Sequence, residues 1–283
     1  MNTAPLPIDG KPMRMSLGLR TLDLSDWLDV DPHYAADLTE KSRLLREHHG
    51  DVVAHVPSGA AGARETLDLV TEWMHVNHPG LANDPPAGLH PVDAAGRLVQ
   101  EDLCVMTQQA GAWRLSAASV CFPSRWNLRE KVGTTLGAIH DPVPGYHDTI
   151  GAVVDGSLDR LEVARPLWRL NWSILDDPAL FQPVGKSGSR PGSRSIDELT
   201  FRVERQTLRR LPRTGAVLFT IRTYRHRLED VTRDRARARD LAATLRTCPA
   251  DLADYKGWTH LLPSLIDTLE TDTDARPGRD SLQ

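Results

Sequence analysis

Three stretches of the chain set histidine, arginine, amide and aromatic residues among apolar ones: Cys121 to His147 (CFPSRWNLREKVGTTLGAIHDPVPGYH), Trp168 to Ile174 (WRLNWSI) and Arg202 to Tyr224 (RVERQTLRRLPRTGAVLFTIRTY). Burying a polar group is costly unless it is paired, so three such stretches point to a polar pocket rather than a plain core. His140 ends an apolar helical turn (LGAI) immediately before the stiff Asp141-Pro142-Val143-Pro144, a setting that holds an imidazole in one direction and suits a metal ligand. Taken alone, a histidine at an apolar helix end is more often structural. His147 follows, but Pro142, Pro144 and Gly145 break the helix between them, so the HxxxH logic of zinc does not apply, and neither HExxH nor a Cys/His cluster occurs. One positioned histidine suits haem better, because the porphyrin fills the equatorial positions and the protein need supply only an axial one. Cys121, between Val120 and Phe122 at a strand end, reads as a packed thiol and ranks below His140 as a ligand.

Strand alternation sorts the remaining polar residues by face. Arg222 and Tyr224 point one way and Ile221 and Thr223 the other, so one face of that strand is polar and aromatic or simply faces solvent. In the preceding strand Arg202, Glu204 and Gln206 share one face, and Arg205 falls with Val203 and Thr207 on the other. An inward arginine needs an anion: a propionate or substrate carboxylate would serve, and a structural pair with Glu204 or Glu130 is the plainer alternative. Arg169 and Asn171 face away from Trp168, Leu170 and Trp172. Trp126 follows a helix start at which Ser124 is expected to cap, and these tryptophans are more often core than catalytic.

Around these stretches the periodicities predict an α+β fold. Residues 1–35 read as an irregular arm anchored by Trp27, followed by helices over 35–49 and 63–75 and a Pro/Gly/Asp-rich loop over 77–97. Five antiparallel strands are expected: 102–108 and 113–122 as a hairpin, 168–175, and 201–208 with 216–224, short helices crossing one face between the second and third. A Gly/Ser/Arg/Pro loop (GKSGSRPGSRS) precedes the fourth strand, helices are expected over 228–246, 249–255 and 258–269, and TDTDARPGRDSLQ reads as a disordered tail. The resulting division is an N-terminal arm with helices (1–97), a core (98–227), C-terminal helices (228–270) and a tail (271–283). A net charge of −4 and a pI near 6.3 argue against a nucleic-acid surface. No run approaches the roughly 18 apolar residues of a membrane span, and three cysteines without a CxxC pair suit a reducing compartment, so a cytoplasmic chain without an anchor is expected. Neither GxGxxG nor GxxxxGK[ST] occurs, which disfavours a Rossmann or P-loop nucleotide site.

The run PSRWNLREKVGTTLGAIHDPVPGY, then WRLNWSI, RVERQTLRRLPRTGAVLFTIRTY and finally DLADYKGW, resembles the haem-binding subunit of the haem-dependent oxidative N-demethylase family, over roughly residues 20 to 270. The resemblance implies a Per-ARNT-Sim-like antiparallel sheet enclosing haem b. It also implies a monooxygenase-type demethylation of a small secondary amine such as dimethylamine, with O2 consumed and formaldehyde released. Electrons would come from NADPH through separate flavin/iron–sulfur reductase subunits, and tetrahydrofolate is an associated formaldehyde acceptor. By position in the matching motifs it implies His140 as the proximal ligand, Arg222 with Tyr224 near the distal O2 or substrate site, and Arg169, Asn171, Arg205 and Trp126 around the haem edge. Glu204, Trp126, Trp172 and Tyr224 are the candidates for holding an ammonium group. His147, His226 and Cys121 stay open as alternative axial ligands. The competing functions are a haem-based sensor and a haem oxygenase-type enzyme for a different small substrate.

Overall fold

The computed structural model describes residues 5–14, 16–183 and 195–274. The strands are β1 (Arg20–Thr21), β2 (Val53–His55), β3 (Asp102–Gln109), β4 (Ala112–Ser119), β5 (Leu167–Leu175), β6 (Thr200–Arg210) and β7 (Val217–Arg227). They form one open antiparallel sheet in the order β1-β5-β6-β7-β3-β4-β2. The five expected strands are its long members, but the sheet has seven, because Arg20–Thr21 pairs with β5 and Val53–His55 with β4. Segments of two and three residues are too short to show a period of two. The β3–β4 hairpin closes through Ala110 and Gly111, both at positive φ (49° and 78°), the conformation a two-residue hairpin turn demands.

The helices are α1 (Tyr34–Glu47), α2 (His49–Val52), α3 (Ala60–Asn77), α4 (Pro91–Gly96), α5 (Leu128–Lys131), α6 (Leu136–His140), α7 (Ala152–Asp159), α8 (Leu228–Thr232), α9 (Arg235–Arg246), α10 (Ala250–Tyr255) and α11 (Leu262–Asp274). Helix α3 buries Ala63, Leu67, Val70 and Met74 along one stripe, and its entry lies so close to the sheet that a Cβ on Gly59 would fall 2.3 Å from the Ser116 carbonyl oxygen. Helix α4 corrects the expectation of a loop throughout 77–97: Pro91 at the first turn, His90 accepting from the Val92 amide and Asp93 at the positive end outweigh the surrounding prolines and glycines. The helix expected over 228–246 is two, α8 and α9, since Asp234 caps a new start by accepting from the Ala236 and Arg237 amides. The last helix runs on to Asp274, so the expected tail begins later than 271, and the rest of it lies outside the described residues, as does most of the GKSGSRPGSRS loop. Among the described residues no helix is long and apolar enough to cross a membrane.

Paired residues of antiparallel neighbours point to the same side, so the register divides the sheet. One face carries Arg169 and Asn171 of β5, Glu204 and Gln206 of β6, Thr223 of β7 and Cys104 of β3. Residues 121–161 cover it, packing Trp126, Leu128, Leu136, Ile139, Leu158 and Leu161 on Leu167, Leu208 and Phe219. The opposite face carries Trp168, Trp172, Val203, Arg205, Arg222 and Tyr224, and the N-terminal helices and the C-terminal helices lie on it as two further apolar clusters.

Candidate haem site

The covering segment is tied down at both ends. At its start the carboxylate of Asp102 accepts the amides of Cys121 (2.8 Å) and Phe122 (2.9 Å), and Arg202 donates to the Phe122 carbonyl oxygen. Arg125 takes the positive φ of 61° that turns the chain, and the helix cap is Asn127, which accepts from the Arg129 amide, rather than Ser124. Thr135 caps α6 by accepting from the Ala138 amide at 3.2 Å, and Lys131 donates to the Ile139 carbonyl oxygen at 2.8 Å.

This scaffold fixes His140. Its Nδ1 lies 2.9 Å from the Leu136 carbonyl oxygen. A carbonyl only accepts, so Nδ1 carries the proton and Nε2 keeps its lone pair. The ring stacks on Tyr146 with centroids 4.5 Å apart and planes 8° from parallel. Burial lowers its pKa and favours the neutral ring, the hydrogen bond to Leu136 opposing and the charges of Lys131 and Arg169 adding to the lowering. A neutral imidazole with Nδ1 anchored to a backbone carbonyl is the form that ligates a metal through Nε2.

Across from it, Arg169 is half-buried, and its Nε has no hydrogen-bond partner among the described residues. Desolvation lowers its pKa, with only the charge of Glu204 opposing. An uncompensated guanidinium in such a place is costly and asks for an anion. Glu204 cannot fully serve, because its carboxylate already accepts from Arg202 Nε (3.2 Å), Asn171 Nδ2 (3.3 Å) and Gln206 Nε2 (3.1 Å). Thus His140, Arg169, Asn171, Glu204 and Trp126 are gathered on one side of the sheet.

Arg222, Tyr224 and Arg205 are on the other side. Arg222, 1% exposed, pairs with Asp31 (2.8 Å) and Asp37 (3.3 Å) of the N-terminal region. The Tyr224 hydroxyl donates to Asp29, and Arg205 donates to the carbonyl oxygens of Asp26 and Trp27. Trp172 is there too, stacked between Phe201 and Trp258. The alternation expected within each strand is present; what puts these residues on the opposite face from His140 is the choice of side by the covering segment.

The alternative ligands differ from His140 in their surroundings. His147 Nε2 is engaged by Asp141 at 2.7 Å. His226 pairs with Phe201 on the opposite face. Cys121 is fully buried, and burial pushes its thiol up to about 12, which keeps it protonated at neutral pH. Lys256, which the end of α10 brings to the outer edge of β5 beside Trp172, is not among the sequence-derived candidates; its one signal is the aromatic-flanked Tyr-Lys-Gly-Trp run.

Among the described residues, one side of the sheet therefore offers a directed imidazole, a guanidinium whose Nε has no partner, and aromatic and aliphatic walls, attributes that suit a planar, carboxylate-bearing metal cofactor better than a closed metal cage. Residues 18–84 and 80–266 match the family model described as haem-dependent oxidative N-demethylase, alpha subunit-like, and the chain belongs to that family. The family description carries haem dependence and an oxidative activity. The residues present fit haem: Nε2 of His140 is free to ligate, and the orphaned guanidinium of Arg169 is chemically matched to a propionate.

Proposed function

We propose that this chain is the haem-binding subunit of an enzyme that oxidatively demethylates a small secondary amine such as dimethylamine. The observation that carries the reading is the presence, on one face of the sheet, of a neutral His140 anchored through Nδ1 and of Arg169, whose Nε has no partner among the described residues. In the proposed site His140 would ligate the iron through Nε2, Arg169 and Asn171 would hold the propionates, and Trp126 with Leu136 and Ile139 would form the apolar wall. Haem, when bound, supplies activation of O2. The balanced reaction takes a methylamine, O2, two electrons and two protons to the demethylated amine, formaldehyde and water, the C–H bond of the methyl group being the one oxidised.

The chain's own residues then bind and orient. Leu136 fixes the imidazole direction through Nδ1, and Tyr146 fixes its plane. Leu136, Ile139 and Phe219 exclude water from the covered face. Glu204 keeps Asn171, Gln206 and Arg202 in register as a neutralised polar row, which leaves its carboxylate little capacity to take an ammonium directly. We place Trp126, the one of the aromatic ammonium candidates on this face, beside the amine. Arg222, Tyr224 and Arg205 are left out of the proposed site, their polar atoms being taken up by the N-terminal arm.

The electron source is proposed to be NADPH acting through separate flavin and iron–sulfur reductase subunits, with tetrahydrofolate as acceptor for formaldehyde; the family's description as alpha subunit-like supports assembly with other subunits. The Per-ARNT-Sim-like enclosure is proposed for the five long strands with α5 to α7 over them. The test is the haem-loaded chain with a chemical or enzymatic reductant and dimethylamine: amine-dependent O2 uptake matched by equal formaldehyde release is expected. Oxygen uptake that ignores the amine would remove the demethylase reading and leave only a haem protein.

A further inference from the structure

Three clusters outside the described roles hold unused titratable groups. His55 and His90 stack at 3.8 Å, with no third ligand near them among the described residues. A surface hollow at His226 is lined by Arg225, Arg227 and Arg237 together with Asp230. Arg227 and Arg237 there already face Glu229 and Asp234, and Arg225 is bound to the Pro178 carbonyl oxygen, so the hollow has little unspent charge. The third is Lys256.

Helix α10 ends at Tyr255, and Gly257, at a φ of 71°, turns the chain back so that Lys256 lies along the outer edge of β5. There its Nζ donates to the Trp172 carbonyl oxygen at 3.2 Å, and Trp258 Nε1 donates to the Ile174 carbonyl oxygen at 2.8 Å. These two side chains satisfy the part of this edge that β1, paired only with Leu167 and Trp168, leaves open. Nζ also sits 5.0 Å from the centroid of the Trp258 ring. An ammonium has three protons to donate, and the carbonyl takes one. The charged groups that act on Lys256 are Glu204 and Arg169, which belong to the face opposite the C-terminal helices, with Cys248 on its own side. Lys256 thus holds the β5 backbone at Trp172, on the same strand that carries Arg169 in the polar row. Glu204, whose charge acts on both Arg169 and Lys256, is already engaged by Arg202, Asn171 and Gln206, so two cations share one acid that other donors hold.

Resting on the haem reading above, we infer that Lys256 and Arg169 together form a dicationic carboxylate clamp along β5, where β1 ends, and that it takes both propionates of haem. Sequence and fold bring the two cations from separate places, Arg169 from the strand and Lys256 from the C-terminal helices, so haem binding would also fasten the C-terminal layer to the sheet. The charge count fits: a dianion neutralises the pair, whereas a cationic amine would add a third like charge. Desolvation lowers the Lys256 pKa to about 8, with Glu204 opposing and Arg169 adding to it. The free chain therefore gives up this proton as the pH rises through about 8. A bound carboxylate favours the charged form, so binding takes a proton back above that pH, and affinity falls there.

The experiment compares haem b with its dimethyl ester, which lacks the charged carboxylates, by titrating the purified apo chain and following the Soret band. Wild type is expected to prefer haem b by on the order of 10-fold or more, as each charge-assisted contact is among the stronger hydrogen bonds. Lys256→Gln should cut that preference several-fold and abolish the loss of affinity above about pH 8, because the group that titrates there is gone. Lys256→Arg should keep the preference while losing the pH dependence, because arginine stays charged. Circular dichroism on each variant checks that it folds. An unchanged preference in folded Lys256→Gln would overturn the clamp and leave the His140 site standing; failure of the folded wild type to bind either porphyrin would overturn both.

Discussion

Replacing Arg222 with methionine is expected to cost the fold about 3–5 kcal/mol, the scale for removing one partner of a buried ion pair, rather than to act selectively on turnover. Arg222 is 1% exposed and holds Asp31 and Asp37, and its guanidinium lies 4.8 Å from the centre of the Tyr224 ring. Burial by itself would raise Asp31, but the hydrogen bond from Gln100 and the charge of Arg222 outweigh it and hold the carboxyl below its usual range. Its contribution is thus complete above the ordinary carboxylate pKa and lost as the pH falls through the lower folded value. Glu101 in the same cluster is raised by burial, against the pull of Arg222, so losing that cation leaves several buried acids uncompensated. Urea unfolding should show a lowered midpoint with the slope unchanged. Adding Asp31→Asn and Asp37→Asn to Arg222→Met should recover part of the loss, the coupling that marks a shared network. Wild-type unfolding combined with lost turnover would instead return Arg222 to the reacting site.

The second large effect is at His140. His140→Ala is expected to weaken haem binding by on the order of 100-fold or more, since even loss of a supporting group outside the ligand set costs a metal site up to that much. The fold should hardly change, because the ring sits in the five-residue α6 and its contacts are one carbonyl and the face of Tyr146. His140→Gly leaves room for a free imidazole, and adding imidazole should restore the wild-type spectrum. Neither His147, held by Asp141, nor the protonated thiol of Cys121 is placed to substitute. Retained haem with an unaltered spectrum in His140→Ala would remove the ligand assignment.

The long strands were legible in the sequence because each is a run of eight or more residues holding apolar and β-branched side chains between turn signals, from the β3–β4 hairpin to β6 and β7. His140 was legible for a different reason: the prolines after it mark a stiff, non-repeating segment. What could not be read was which acid meets which base. Asp37 and Lys41 fall in a helix whose leucines alone suggested the buried stripe, yet both are buried: Asp37 accepts from Gln100, and Lys41 donates to the carbonyl oxygens of Val99 and Glu101. Arg222 and Asp31 are remote in sequence, so the clasp between the arm and β7 exists only once the sheet has formed. Alternation assigned Arg222 and Arg169 to definite faces of their strands, but only the path of residues 121–161 decided which face became the candidate site. The DLADYKGW run gave Lys256 no role of its own, because its partners are a strand carbonyl remote in sequence and an aromatic ring.

The central claim is that the face bearing His140 and Arg169 binds haem through the histidine. The most direct measurement is the absorption spectrum of the wild-type chain loaded with haem, recorded oxidised, reduced, and reduced with carbon monoxide. A stoichiometric Soret band and a histidine-type carbon monoxide adduct are expected, both lost in His140→Ala. A thiolate-type adduct, or a folded chain that takes up no haem, would contradict the account.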